Sequence, residues 1–230
     1  MTTSYAFISS MNKNYFDKCG KLMLDSFNEY NPKHKLYLYN EDFSPNYDNV
    51  ILQGWNLGKE YEEFQSCFSV KSSVYKFAKK GFSIIHAMND VKCDYLIWID
   101  ADCEIKQNFN KKFLKSITNK NILSSHFSVW HNKNNRVYHS CETGFFVLNK
   151  NHYKFSEFKK IYSQIYINQE VELIRRLYDG EVYGETVRRL TGDWMNNLNP
   201  GRHKTPIPRS IIKDYISHYK GKSLKDSIFN

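Results

Sequence analysis

The sequence lacks a cysteine pairing pattern, a long apolar run and any phosphate-binding glycine loop. Its five cysteines, Cys19, Cys67, Cys93, Cys103 and Cys141, are odd in number and show no Cys-x-x-Cys or zinc-type spacing. That excludes a disulfide scaffold and points to reduced thiols in a cytosol-like compartment, so a cytoplasmic location is expected. Nowhere do about 18 uncharged apolar residues run together, so no membrane span is expected. The opening MTTSYAFISSMNKNYF has no basic region followed by an apolar one, which argues against a secretory signal. No internal repeat is visible. Ser9-Ser10-Met11-Asn12, which follows the first apolar run, contains no glycine and therefore cannot be a P-loop.

What is present suits one large α/β unit. The 230 residues are 41% hydrophobic and 25% charged, close to globular norms, and a domain of this size buries roughly 70% of its unfolded surface without metal or disulfide support. Seventeen Tyr and 16 Phe suit half-wet positions where a ring packs and a hydroxyl reaches water. Lys and Arg total 33 against 24 acids, a formal charge of +9. Such an excess favours anionic partners, among them nucleotide sugars and nucleic acid, without choosing between them.

Hydrophobic periodicity orders the chain. Ser4 to Ser9 reads as a buried strand, Tyr15 to Tyr30 as a helix capped by Asn14, and Lys35 to Tyr39 and Val50 to Leu52 as strands. Ser69 to Lys80 has helical spacing and is expected to stop at Gly81. Asp94 to Asp100 (DYLIWID) is a nearly continuous apolar run, the signature of a central strand covered on both faces. Further on, Asn110 to Ile117 suggests a helix and Ile122 to Phe127 and Thr143 to Leu148 strands. Phe155 to Ile167, Gln169 to Tyr178 and Glu185 to Leu190 suggest helices, ahead of a Pro/Gly/Asn-rich loop over Asn196 to Ser210 and a last apolar stretch, Ile211 to Ile216.

Chemistry is expected where the central strand ends. Residues i and i+2 of an extended segment project to one side, so Asp100 and Asp102 present two carboxylates to one point beyond the strand tip. Open α/β sheets bind ligands there. Adjacent carboxylates repel unless a cation lies between them, and hard oxygen ligands suit Mn²⁺ or Mg²⁺ carrying a diphosphate. The tips of the first two strands, Ser9 to Asn12 and Tyr39 to Glu41, are then candidates for base and ribose contacts, with Ser9, Asn12 and Asn40 as the named residues.

The stretch LIWIDAD resembles the DxD element of GT-A fold glycosyltransferases, whose acids bind a divalent ion bridging the two phosphates of a nucleotide sugar. Phe68-Ser69-Val70-Lys71 and the helix after it look like the helix such enzymes place beside the nucleotide, with Lys71 able to neutralise phosphate. Cys141-Glu142-Thr143-Gly144-Phe145-Phe146 with Asn149 resembles the E-x-G-F-strand-N segment of one group of glycosyltransferase-like proteins. His218-Tyr219-Lys220-Gly221-Lys222 is similar to that group's closing H-x-K-G and to the HxxG-type tail of glycogenin-like enzymes, in which the His completes the metal site. The tail lacks the Lys-Pro-Trp ending of the latter. The acidic stretch Asp179-Gly180-Glu181-Val182-Tyr183-Gly184-Glu185 does not align cleanly.

The resemblance implies a GT-A, Rossmann-like fold: a mixed, mostly parallel sheet flanked by helices in one domain, 1–230, with a nucleotide-binding half over about 1–105 and an acceptor half over about 106–230. It implies metal ligands Asp100, Asp102 and His218, and phosphate contacts from Lys71, Lys220, Gly221 and Lys222. A nucleotide-sugar donor follows, a UDP-sugar as first guess, and an acceptor hydroxyl on a glycan, a protein or another molecule. Glu142 and Asp193 are candidate general bases, ahead of Asp179, Glu181 and Glu185. Two other readings compete: a nucleotidyltransferase using a nucleoside triphosphate and metal, for which the missing glycine loop is unfavourable, and a non-catalytic nucleic-acid binder, for which the lysines are too scattered.

Overall fold

The computed structural model describes residues 3–67, 73–133, 136–170, 178–190, 192–199, 201 and 206–219. Its apolar runs become β1 (Tyr5–Met11), β2 (Leu36–Asn40), β3 (Val50–Gln53) and β4 (Tyr95–Ile99), all parallel in the order β3-β2-β1-β4. The second half adds β6 (Ser124–Lys133), β7 (Arg136–Asn149) and β8 (Met195–Asn197). β7 lies antiparallel against β4, β6 antiparallel against β7, and β8 parallel to β6, closing a seven-stranded mixed, mostly parallel sheet. β5 (Cys103–Ile105) and β9 (Ile216–His218) form a separate antiparallel pair.

Both faces of the sheet are buried, and the period of two shows it. In β1 and β4, Ala6, Ile8, Leu96 and Trp98 pack under α3 (Lys59–Ser66), α4 (Ser73–Asp90), α6 (Phe155–Ile167) and α7 (Asp179–Arg189). Phe7, Tyr95, Ile97 and Ile99 face α2 (Lys21–Tyr30) and α5 (Lys111–Ile117) on the other side. Each fully buried Phe or Leu contributes about 1.5 to 3 kcal/mol. Parallel strands covered on both faces lose alternation in sequence, which is why DYLIWID reads as one apolar block.

Several boundaries differ from the sequence expectation. β1 runs on to Met11, so Ser9 is strand and not loop. Asn12, rather than Asn14, caps the following helix: its Oδ1 accepts from Tyr15 N at 2.8 Å, and a π-helical turn, Phe16–Gly20, separates α1 (Lys13–Tyr15) from α2. The strands expected over 122–127 and 143–148 are the inner parts of a long hairpin, β6 and β7. Of the helix expected over 169–178, residues 171–177 lie outside those described, and α7 takes in most of the helix expected over Glu185 to Leu190. The stretch Ile211 to Ile216 is mostly turn, with Ile216 opening β9. Among the described residues no helix is long and apolar enough to cross a membrane.

The largest departure is Gly81. It does not end its helix but sits inside α4, which continues to Asp90. A Cβ there would overlap the ring of Tyr166 from α6. The glycine is required for a close helix–helix approach, and a Lys-Lys-Gly sequence cannot show that a neighbouring ring, rather than a helix end, demands it. Gly81→Ala is accordingly predicted to destabilise the protein by about 1 to 3 kcal/mol through overpacking, although alanine is favoured by about 1 kcal/mol at an open helix position. Urea unfolding of the variant checks this, and an equal or higher midpoint would sink the explanation.

Candidate active site at the carboxyl end of the sheet

The parallel strands β1, β2 and β4 all end at one edge, and a cleft of about 820 Å³ opens there. Ser10, Met11 and Asn12 enter it from β1, Glu41 from beyond β2, and Trp98, Asp100 and Asp102 from β4 and the turn after it. Lys79 and Lys80 come from α4, Glu142 and Thr143 from β7, Asp179 from α7 and His218 from β9.

The turn after β4 is built by backbone bonds. Asp100 N donates to Gly144 O at 2.9 Å, Cys103 N to Asp100 O at 3.0 Å, and Tyr219 N to Asp102 O at 2.9 Å. The β5–β9 register sets Cys103 opposite His218. A residue 116 positions away in sequence is thereby brought onto the acidic pair: His218 Nε2 stands 3.1 Å from Asp102 Oδ1 and 4.0 Å from Asp100 Oδ2, while Nδ1 stands 3.4 Å from Glu142 Oε1. Gly144 makes room for the ring, since a Cβ there would lie 2.6 Å from His218 Nδ1. Burial disfavours a charged imidazole, but Asp102, Glu142 and Asp100 outweigh it and raise the affinity of His218 for a proton.

Lys80 is the second organising group. Its Nζ lies 2.6 Å from Asp100 Oδ1, 2.8 Å from Asp179 Oδ2 and 2.8 Å from Thr143 O. Burial alone would strip its proton, yet Asp100 and Asp179 hold its pKa above the ordinary lysine value. Asp100 Oδ1 also accepts from Trp98 Nε1 at 2.6 Å, and Thr143 Oγ1 donates to Asp179. Gly180 lets α7 start this close to β7, because a Cβ there would come within 2.5 Å of Cys141 O. Burial and the neighbouring Asp102 and Asp179 carboxylates raise the pKa of Asp100, against the lowering effect of Lys80 and His218.

Among the described residues Asp100, Asp102, Glu142 and Asp179 therefore share a region with the Lys80 ammonium and the His218 imidazole. The carboxylate oxygens and the imidazole nitrogen that converge there are the donor types that hold a divalent cation. Asp102, Cys103 and His218 each bring a ligand atom within 4.8 Å of the others.

Other expected residues fall differently. Ser9 is fully buried in β1, and Ser10 takes its place in the cleft wall. Asn12 lines the cleft while capping α1. Asn40 turns its amide to Phe43 O and leaves the wall to Glu41, which pairs with Lys79. Asp193 precedes β8, whose first residue pairs beside Ser124 and Leu148 at the opposite end of the sheet, so the cleft does not contain it. Lys71, Lys220, Gly221 and Lys222 lie outside the described residues. Lys80 and Asp179 are the members that sequence reasoning passed over or ranked low. One lysine among 33 basic residues carries no mark of burial, and Asp179 stood in a stretch that did not align.

The mixed, mostly parallel seven-stranded sheet flanked by helices matches the fold of GT-A glycosyltransferase structures. Three solved structures illustrate the likeness. The galactosyltransferase LgtC, in complex with donor and acceptor sugar analogs, is 12% identical with a TM-score of 0.59, over 98% of this chain and 96% of that one. A glycosyltransferase involved in glycosylation of the major capsid of PBCV-1 is 14% identical with a TM-score of 0.53, over 98% of this chain and 100% of that one. Mouse xyloside xylosyltransferase 1 is 10% identical with a TM-score of 0.54, over 86% of each chain. At these identities the likeness is one of fold. No protein-family model matches the chain, and no curated protein matches it.

Glu185, a lower-ranked candidate base, is a structural group. Arg188 Nε and Arg189 Nε donate to it at 2.6 and 2.8 Å, and Arg189 also reaches Glu170 at 2.6 Å. Burial would raise its pKa, but the hydrogen bonds from Arg188 and Arg189 prevail and hold it below the usual 4.5. A depressed folded-state value stabilises the fold above that pH and is lost as pH falls through it. Glu185→Gln is predicted to cost about 1 kcal/mol at neutral pH, allowing for the exposure of Arg188, with the difference from wild type vanishing on acidification. Thermal unfolding of both proteins between about pH 7 and pH 3 tests this, and a gap that persists at the acid end would contradict it.

Proposed function

We propose that the chain is a metal-dependent glycosyltransferase that moves a sugar from a nucleoside-diphosphate sugar to a hydroxyl acceptor, on a glycan, a protein or another molecule. The observation that carries this is the meeting of Asp100 and Asp102, at the end of β4, with His218 from β9, in a cleft at the carboxyl edge of a GT-A sheet. Asp100, Asp102 and His218 would hold Mn²⁺ or Mg²⁺. When bound, the ion would act as a Lewis acid toward the departing diphosphate.

The chain's own groups complete the reading. Glu142, 3.4 Å from Nδ1 of His218, orients the imidazole so that Nε2 faces the acidic pair, which supports a positioning role in place of the general-base role first considered. Asn12 and Glu41, at the tips of β1 and β2, are placed for base and ribose. Lys80 keeps a fixed positive charge in the cleft while holding Asp100 and Asp179 apart. Asp179, held by Lys80 and Thr143 in the cleft wall, takes the place of Asp193 as the acid that would meet donor or acceptor hydroxyls. Phe77 and Tyr178 pack as a tilted ring pair, 4.5 Å between centroids, along the same wall beside Asp179, and would offer an apolar surface to an acceptor. Lys71, Lys220, Gly221 and Lys222 keep their assignment to phosphate on sequence grounds, and the division into a nucleotide half (about 1–105) and an acceptor half (about 106–230) follows the same reading.

Calorimetry with uridine and guanosine diphosphates, with and without Mn²⁺, tests the donor site. Binding is predicted to require the metal, to prefer one base, with uridine as the first candidate, and to weaken at least about tenfold, or 1.4 kcal/mol, in Asp102→Ala. Absence of diphosphate binding to the folded wild type in either condition would overturn the function.

A further inference from the structure

We propose that Cys103 gives the Asp102–His218 centre a second ligand set, one that captures thiophilic dications such as Zn²⁺ in place of Mn²⁺. The inference rests on reading Asp102 and His218 as metal ligands and is independent of sugar transfer.

Cys103 follows Asp102 directly and opens β5, where it is the registered partner of His218. Its side chain is buried, and its Sγ donates to Gly144 O at 3.6 Å. The sulfur, an Asp102 oxygen and a His218 nitrogen lie within 4.8 Å of one another, and the last two are already 3.1 Å apart. Zinc bonds of about 2.0 to 2.3 Å imply ligand–ligand separations of about 3.3 to 3.7 Å in a tetrahedron. Contraction by roughly an ångström therefore converts the cluster into a Cys/His/Asp set with one open position, the arrangement of a reactive rather than a sealed zinc site.

Softness decides between the two sets. Mn²⁺ and Mg²⁺ prefer carboxylate oxygen and are served by Asp100, whereas thiolate selects zinc-like ions. On capture the metal–sulfur bond forms, the thiol proton passes to buffer, and no electron is transferred. Two other cysteines make the contrast: among the described residues neither Cys67, which is exposed, nor Cys19 belongs to such a group of ligand atoms.

Co²⁺ is the probe, because a cobalt–thiolate bond adds a charge-transfer band in the near ultraviolet. The band is expected in the wild type and in Cys67→Ser, and is expected to vanish in Cys103→Ala and in Cys103→Ser, the second variant guarding against misfolding of the first. In parallel, Zn²⁺ displacement of Mn²⁺ is followed by the electron paramagnetic resonance of released Mn²⁺. The Zn²⁺-over-Mn²⁺ preference is expected to fall at least about tenfold in the Cys103 variants. A folded wild type with no band, a band that survives in both Cys103 variants, or an unchanged preference overturns the proposal. Mn²⁺-dependent nucleotide binding without a band sinks only this inference. A Cys103-dependent band in a protein that binds no nucleotide supports it and sinks the glycosyltransferase reading instead.

Discussion

The clustering of carboxylates at the end of β4 is the constraint on which the rest of the site depends. Asp100, Asp102, Glu142 and Asp179 would repel one another without Lys80 and His218 among them. Burying an unpaired carboxylate costs several kcal/mol, so the ammonium of Lys80 is structural before it is anything else. It ties α4 to the tip of β4 and to the start of α7, and so draws three elements to one point.

The scaffold leaves little freedom around that point. Two cores clamp the sheet from both faces, and Trp98, which belongs to one of them, also donates its indole N–H to Asp100. Packing and electrostatics thus meet two residues apart, at the end of β4 and in the turn that follows it. Glycines set the distances: Gly144 admits the His218 ring, Gly180 admits the start of α7, and Gly81 admits Tyr166 beneath the helix that carries Lys80. Each is a place where a Cβ would push a polar group out of register.

Much of the fold was legible because its signals are local. The apolar block before Asp100, the alternation of β2 and the helical spacing of Phe155–Ile167 each identify an element without reference to the others. Within the candidate site, Asp100 and Asp102 were legible because their spacing and their place after a strand are both written in one short segment. Glu142 and His218 rested on resemblance, and the structure sets them on opposite nitrogens of one ring, with Glu142 facing Nδ1 and Asp102 facing Nε2. The place of Asp193, away from the cleft, was not legible, because an acid beside a tryptophan in a loop gives no indication of which end of the sheet it occupies. Gly81 misled because a glycine that ends a helix and one that admits a neighbour's ring are identical in sequence.

By itself the sequence determined the α/β class, the central buried strand and the acidic turn that ends it, since hydrophobic period and residue spacing are properties of neighbours along the chain. Only the tertiary structure decided which charges face each other. Lys80 meets Asp100 and Asp179 across 20 and 99 positions, and His218 meets Asp102 across 116, through β5–β9 pairing and helix packing. Electrostatic partnership depends on distance in space, and among so many lysines and aspartates no periodicity records it.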